Sequence, residues 1–291
     1  MHSDIQYDKL NVSEENGDIM PFTLNNIFNT ITANPNRVGN YIEIEPCSAL
    51  KPYIRCFWGS KYNRTNNKGN KINKTRVIPD VCMDIILTAN TATNQLNGHF
   101  CGINNSSFIS TESDNFCFGI RFYAWSVILF SNGSMRGALN TFTDIEAYFS
   151  DFTEGLKEKI FLASNFYERT VIAEKYLLNK LNTNRENSDI MNSLFFIIKR
   201  KGNLKAKDLS DFSFISKRQL ERKFLENTGV SPKQMINLIR YQMLWQDCIK
   251  YNFNVLNSVE KFGYCDQAHL LNDFKKYHGI SLNQARDSVI K

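Results

Sequence analysis

The arrangement of hydrophobic and polar positions changes twice along the chain. Between residues 41 and 130, short apolar or alternating runs are separated by Asn- and Gly-rich connections such as Asn63–Asn73 and Asn90–Gly98. Runs of this length predict short strands, and their spacing is typical of an antiparallel barrel or sandwich. The predicted strands are Tyr41–Ile44, Tyr53–Trp58, Arg76–Ile78, Met83–Leu87 and Phe116–Phe122.

From residue 151 onward the pattern predicts helices. Apolar positions recur every three to four residues in Glu154–Ser164 and Asn165–Leu181, as they do in helices that bury one face. The polar stretch 182–188 predicts a linker, and everything beyond it is predicted to be helical. The buried face predicted for the second helix consists of Phe166, Val171, Tyr176, Leu177 and Leu181.

Residues 1–40 form a separate lead-in that is rich in Asn, Asp, Ser and Thr. One apolar cluster stands out in it, with the i, i+3, i+4, i+7 spacing of a helix face. We therefore expect one short helix there, carrying Leu24, Ile27, Phe28 and Ile31.

The last hundred residues contain an internal repeat at an offset of 50. Matching positions keep the same chemical type and the same order, which accident rarely produces. The first copy contributes Phe212, Phe214, Ser216, Leu220, Phe224, Gly229-Val230-Ser231 and Gln234, and the second contributes Phe262, Tyr264, Asp266, Leu270, Phe274, Gly279-Ile280-Ser281 and Gln284.

Each copy predicts a helix, a short turn and a second helix. The first helices are Lys205–Asp211 and Val255–Lys261. Ser216 or Asp266 then follows as a helix cap. The Leu and Phe at four and eight residues after the cap share one helix face and are expected in the core. Glycine ends each unit, as is common where a helix closes in a left-handed residue. The arrangement is that of a helix-turn-helix.

The exposed face of each second helix carries groups suited to DNA. Arg218 and Arg222 lie one turn apart, and guanidinium groups at that spacing can reach guanine or phosphate. The second copy offers amide and imidazole groups and a methyl that could meet thymine. For a lone helix, the alternative is a solvent-exposed face that contacts no partner. The presence of two tandem copies favours contact with DNA. The candidate base contacts are Lys217, Arg218, Glu221, Arg222, Gln267, Ala268, His269 and Asn272.

One long helix is predicted between the two copies, over Pro232–Tyr251. Proline is tolerated in its first turn. About 19 residues at 1.5 Å each span roughly 28 Å. This length approaches one DNA turn of about 34 Å, so the two recognition helices could enter successive major grooves on one side of the duplex.

The charge of the chain is concentrated at its end. Residues 1–185 hold 18 Lys+Arg and 18 Asp+Glu, whereas residues 186–291 hold 17 and 11 and carry the whole net charge of +6. A basic end on a neutral body indicates a polyanionic partner. The candidate phosphate contacts are Lys205, Lys217, Lys223, Lys233 and Lys275, with helix N-termini near Ser216 and Ser231.

Residues 190–287 resemble the AraC/XylS-type DNA-binding domain. The resemblance is carried by Asp208-Leu209, Ser216–Phe224, Gly229–Pro232, Phe262–Leu270 and Phe274–Ser281. It implies two helix-turn-helix units joined by a linker helix. Two positions depart from the family: Leu282 stands where proline is usual, and Leu244 where a small residue is usual. Both bear on packing, and neither removes a base-contacting position.

Residues 41–181 resemble, less strongly, the cupin-like N-terminal domain of some regulators of that family. The carrying segments are Leu50–Trp58, Arg76–Ile86 and Gly119–Phe122. The resemblance implies a small β-barrel followed by helices, which senses small molecules and dimerises. The expected fold class is α+β. The expected divisions are an extension over 1–40, a sensing and dimerisation domain over 41–182, a linker over 183–189 and a DNA-binding domain over 190–291.

Four residues of the first domain are candidate ligand contacts. Asp80 and Asp84 could bind a cation or a polar ligand, or else form a turn and a strand start. Arg121 lies in the apolar strand Phe118–Phe122, either as a ligand anchor or as the partner of a buried carboxylate. Trp58 completes the set, although core packing is the alternative for it and for Trp125.

Neither a metal nor a cofactor is predicted. The seven cysteines form no CxxC pair, and the four histidines are scattered, whereas zinc sites usually show closely spaced ligands. Reduced, mostly buried thiols are expected. A metal-binding cupin would need a cluster of the His/His/Glu/His type, which His99 alone cannot supply. The absence of an apolar run of about 18 residues and of a secretory signal predicts a cytoplasmic protein without a membrane span.

The leading hypothesis is a sequence-specific transcription regulator. Its predicted partners are double-stranded DNA, RNA polymerase, a small-molecule effector, and a second copy of the chain bound through the N-terminal domain. Activation is favoured by family analogy alone. One alternative is a regulator without an effector, controlled by a protein partner or by dimerisation. Another is a cysteine-based DNA-repair enzyme on a regulatory framework, which the spacing of the cysteines disfavours.

Overall fold

The computed structural model describes residues 24–33, 41–60, 73–90, 95–112, 116–250 and 252–289. Antiparallel sheets form the first part of the chain and helices form the rest, so the fold class is α+β. The strands are β1 (Tyr41–Ile44), β2 (Ile54–Ser60), β3 (Asn73–Val77), β4 (Cys82–Asn90), β5 (Gln95–Cys101), β6 (Phe108–Glu112), β7 (Phe116–Tyr123) and β8 (Phe142–Asp144).

The strands make one large sheet and one ribbon. The large sheet has the order β1-β2-β7-β4-β5-β8, and β3 pairs with β6 in the ribbon. The central strand β7 is buried along most of its length, with Phe116, Phe118, Ile120 and Phe122 in the core. Among the described strands the pairing leaves β1 and β8 as the two ends of the large sheet. An antiparallel sheet domain is therefore present, whereas a closed barrel is not observed.

The strand predictions were incomplete. All five predicted segments overlap strands, but β5, β6 and β8 were missed. The predicted connection Asn90–Gly98 was wrong at its end, because Gln95–Gly98 pairs with β4. The side chains of β5 do not alternate cleanly between buried and exposed, which hid it. Most of the other predicted connection, Asn63–Asn73, lies outside the described residues.

Nine α-helices follow within the described part of the chain. None is long and apolar enough to cross a membrane. The helices are α1 (Glu154–Leu162), α2 (Phe166–Lys180), α3 (Ser188–Lys199), α4 (Ala206–Ser213), α5 (Lys217–Thr228), α6 (Pro232–Cys248), α7 (Val255–Phe262), α8 (Gln267–His278) and α9 (Leu282–Val289).

The two helices that follow the sheet begin where the sequence predicted. Asn165 caps α2 by accepting a hydrogen bond from the backbone N–H of Glu168. Phe166 and Leu177 are buried as expected, but the prediction for Val171 was wrong, because 45% of it is exposed. Burial instead falls on Arg169, Thr170 and Ala173. The observed buried face is thus rotated relative to the predicted one.

Residues 24–33 form a strap across the molecule instead of the predicted helix. Only Leu24–Asn26 is helical, as a single 3-10 turn, although Leu24 and Phe28 are buried. Gln242 of α6 holds the backbone of Ile31 from both sides, since its Oε1 accepts from the Ile31 N–H and its Nε2 donates to the Ile31 carbonyl, each at 2.9 Å. The strap therefore ties the sheet domain to the helical domain.

The sheet domain also contacts the end of each repeated unit. The Met135 N–H donates to the carbonyl of Glu226 near the end of α5 at 2.8 Å, and the Ser107 N–H donates to the carbonyl of Tyr277 near the end of α8 at 3.0 Å. A Cβ atom at Gly229 would lie 2.8 Å from the Met135 carbonyl oxygen, so the approach is close. We call these two hydrogen-bonded contacts the two-point junction.

All seven cysteines are free thiols. Cys56, Cys82 and Cys248 are buried and Cys265 is exposed, so the expectation of mostly buried thiols holds for only part of the set. Burial raises the pKa of Cys56 to about 12. That thiol is therefore protonated and unreactive near neutral pH.

Candidate nucleic-acid interface

The first candidate recognition helix is α5. Its cap Ser216 accepts from the Gln219 N–H at 3.3 Å, while the Gln219 side chain accepts from the Ser216 N–H at 3.1 Å, which completes a capping box. Leu220 and Phe224 are buried in the domain core. The opposite face is exposed to solvent, since the core takes up only this one stripe. That exposed face carries Lys217, Arg218, Glu221 and Arg222.

The second candidate recognition helix, α8, is built in the same way. Asp266 accepts from the His269 N–H at 2.7 Å, and Leu270 and Phe274 are buried. The candidate base contacts Gln267, Ala268, His269 and Asn272 are all exposed. The His269 ring is partly oriented by its own turn, since its Nδ1 accepts from the Cys265 N–H at 3.4 Å. With Nδ1 as the acceptor, the neutral ring carries its proton on Nε2, which can then act as a donor.

The candidate phosphate contacts divide into two groups. The side chains of Lys205, Lys217, Lys233 and Lys275 are exposed. Lys223 is half-buried and forms an ion pair with Asp189 of α3, so it holds two helices together as well as carrying charge. Ser216 and Ser231 use their hydroxyls as helix caps, and their helix N-termini supply the positive ends of the helix dipoles.

Family models match both parts of the chain. One described as "Helix-turn-helix domain" matches residues 209–288, and one described as "Domain of unknown function (DUF6597)" matches residues 42–144. Residues 209–288 are an AraC-type helix-turn-helix domain. The match to the sheet domain is thus to a family of unknown function.

Solved structures resemble the chain at low sequence identity. ToxT from Vibrio cholerae is 12% identical, with 81% of this chain and 99% of that chain covered and a TM-score of 0.41. The C-terminal domain of AraT, a response regulator from Geobacillus stearothermophilus, is 23% identical, with 36% and 88% covered and a TM-score of 0.34. A search of curated protein sequences finds no match.

The linker helix α6 of the AraC-type domain is shorter than predicted. It runs over 17 residues and begins with Pro232 in its first turn, which corresponds to about 26 Å. Tyr241, Leu244 and Trp245 are buried along it. Leu282, the other departure from the family pattern, is buried at the start of α9. Both leucines thus contribute to the core.

The four candidate ligand contacts of the sheet domain lie together. Arg121 is 6% exposed and donates from Nε to Asp84 Oδ1 at 2.9 Å, and Trp58 Nε1 donates to the same oxygen at 2.8 Å. Thr32 of the strap joins them, since it accepts from Arg121 Nη1 at 2.8 Å and donates to Asp80. Arg121 is therefore the partner of a buried carboxylate, the second of its two sequence interpretations.

Two opposing effects act on the Asp84 carboxyl group in this buried cluster. Burial raises the pKa of Asp84, and the Arg121 guanidinium opposes that rise. The Asp80 carboxylate lies 3.8 Å from Arg121 Nε and accepts from the Cys82 N–H at 3.1 Å. In the described part of the chain, no group of three or more His, Cys, Asp or Glu residues could hold a metal ion.

Sequence reasoning missed two residues that matter for the AraC-type domain. Gln242 is fully buried and binds the strap; a glutamine among the apolar residues of α6 was the available signal. Phe214 was identified only as a repeat position, but it is 95% exposed. A non-glycine residue in the left-handed region has no simple sequence signature, so the conformation and exposure of Phe214 are evident only in the structure.

Proposed function

We propose that this protein is a sequence-specific transcription regulator that inserts α5 and α8 into successive major grooves of duplex DNA. The tandem helix-turn-helix architecture carries the proposal. In both copies the cap and the buried Leu–Phe stripe hold the recognition helix, and a polar or basic face points outward. The N-terminal residues of such helices contact base edges. Base contacts would come from the eight exposed candidates and phosphate contacts from the lysines around them.

Selection of fragmented genomic DNA on the purified full chain, at two salt concentrations, tests this function. Base-specific binding yields one motif with two boxes about a turn apart that survives the higher salt. Enrichment only at low salt and without a motif would contradict the proposal, because charge alone then drives binding.

Arg222→Ala is expected to weaken binding to the recovered site by about 1–3 kcal/mol. The guanidinium lies one turn after Arg218 on the exposed face of α5, where it would reach a guanine edge. Titration of the recovered duplex and of a scrambled duplex measures the effect. Lys233→Ala serves as the control, since loss of a phosphate contact weakens both duplexes alike. An equal loss on both duplexes for Arg222→Ala would contradict its base contact.

Dimerisation through α2 of the N-terminal domain is also part of the proposal. Tyr167, Val171 and Leu178 lie on one face of α2 and are 68%, 45% and 44% exposed. Residues at i, i+4 and i+11 share a helix face. A second copy presents the same apolar stripe and so is complementary to it by two-fold symmetry.

The double variant Val171→Asp/Leu178→Asp is expected to be monomeric at concentrations where the natural chain is a dimer. Its dimer would have to bury four carboxylates in the interface, which is unfavourable. Sedimentation velocity measures the change. Asn179→Asp adds a charge on the same helix away from the stripe and should leave the dimer intact. A natural chain that stays monomeric at all concentrations would contradict this interface.

Effector sensing and activation through RNA polymerase complete the proposal. The candidate effector contacts Arg121, Asp80, Asp84 and Trp58 already bond one another. An effector that uses them would have to replace those bonds, and through Thr32 it would displace the strap. Transcription from a template carrying the recovered site, with and without a metabolite pool, tests both parts.

A further inference from the structure

Phe214 occupies an unusual position in the first helix-turn-helix unit. It ends α4 with a φ of 53°, in the left-handed region that bulky residues rarely adopt. Its ring is 95% exposed. Conformational strain and an exposed aromatic ring are both unfavourable in the free protein, and such a combination suggests a functional role for the residue.

The second copy treats the equivalent aromatic residue differently. Tyr264 is buried, its hydroxyl donates to Asp273 at 3.1 Å, and the guanidinium carbon of Arg240 lies 5.4 Å from its ring centroid. The left-handed residue of that turn is Gly263, which takes a φ of 69° without strain. The first copy therefore has a strained, exposed ring where the second has an unstrained, buried one.

The position of Phe214 in the chain determines which groups of the DNA its ring can contact. It lies two residues before Ser216, the cap of α5, and so at the end of the recognition helix that enters the groove. A phenyl ring offers neither charge nor a hydrogen bond to a phosphate. Among the groups exposed in the major groove, the thymine methyl is the apolar one.

We propose that Phe214 reads a thymine through its methyl group, beside the base pairs contacted by α5. This inference rests on the proposed function. It adds a specificity determinant to the first box that has no counterpart in the second, because Tyr264 is buried. The two boxes of the site should therefore differ, with a preferred thymine at the edge of one of them.

The test uses the duplex recovered by genomic selection and three forms of the full chain: natural, Phe214→Gly and Lys201→Gly. Lys201 is also exposed, with a φ of 53°, in a different turn. Glycine at either position should raise the melting temperature, since it relieves the left-handed strain. Only Phe214→Gly should weaken binding, by roughly fourfold for one methyl contact.

Replacing each thymine of the duplex in turn by deoxyuridine removes one methyl and identifies the base. At one position, removal of the methyl should lower the affinity of the natural chain and of Lys201→Gly roughly fourfold. The same removal should not lower the affinity of Phe214→Gly any further. Unchanged affinity of Phe214→Gly would overturn the proposal, and the ring would then face a protein. The proposal would also be overturned if Phe214→Gly lost as much affinity, relative to the natural chain, on every deoxyuridine duplex as on the thymine duplex. If the natural chain selects no motif, the proposed function itself fails and this inference fails with it, a result distinct from the other two.

Discussion

Arg121→Met is expected to lower the free energy of unfolding by about 3–5 kcal/mol, the usual cost of leaving a buried charge without its partner. In the natural protein the Arg121 guanidinium contacts the Asp84 carboxylate through both Nε, at 2.9 Å, and Nη2, at 3.3 Å. The same change removes the hydrogen bond to Thr32 and so loosens the strap. Urea unfolding followed by circular dichroism measures the loss.

The double variant Arg121→Met/Asp84→Leu separates the charge from the packing. It removes both members of the pair and should recover much of the loss, because apolar replacements of buried ion pairs are often neutral. A loss below about 1 kcal/mol for Arg121→Met would mean that water reaches Asp84 and that the pair behaves like a surface salt bridge.

Acid is expected to destabilise the protein through His278. This histidine is buried between Phe274 and Trp245, with ring centroids at 4.8 and 4.6 Å, and its Nδ1 shares a hydrogen bond of 2.9 Å with the Tyr241 hydroxyl. Burial lowers its pKa from 6.5 to about 4, with a further contribution from the Arg76 guanidinium. The unfolded chain therefore binds a proton between pH 6.5 and 4 that the folded chain excludes. Over that interval stability falls by on the order of 3 kcal/mol, and above it His278 contributes no slope.

His278→Gln is the matched comparison, since glutamine does not titrate and can still bond Tyr241. Chemical unfolding from pH 7.5 to pH 4 should give the natural chain a steeper decline than the variant over that interval. Because other titrating groups are common to both proteins, their contributions cancel. Parallel curves would show that His278 is protonated in the folded state and that solvent reaches it.

The double helix-turn-helix could be predicted in detail because its signals are local. A cap at Ser216 or Asp266 satisfies the helix N-terminus, and a Leu–Phe stripe specifies the buried face. Each of these requirements falls within about a dozen residues, so sequence spacing and spatial proximity coincide. The exposed faces of α5 and α8 follow from the same periodicity by exclusion.

The sheet domain and its contacts could be predicted only in part because its determinants lie far apart in sequence. β5 is defined by its pairing with β4 and β8 and not by its own alternation. Leu24 and Phe28 have helical spacing, yet their packing and the bonds from Gln242, more than 200 residues away, favour an extended strap. Arg121 was recognised as unusual, but its choice of partner depends on the β4–β7 register.

Under the proposed function, the two-point junction would fix the distance between the two boxes of the operator. Met135 and Ser107 bond the ends of α5 and α8 to one sheet domain, and these two bonds oppose an independent rotation of the two helices about α6. One extra base pair between the boxes shifts one box by about 3.4 Å and rotates it by about 35°. A DNA-binding domain that is held at both points could follow that change only by breaking one of the two hydrogen bonds. The affinity for duplexes with longer or shorter spacers would therefore measure how readily the two-point junction between the sheet domain and the DNA-binding domain breaks.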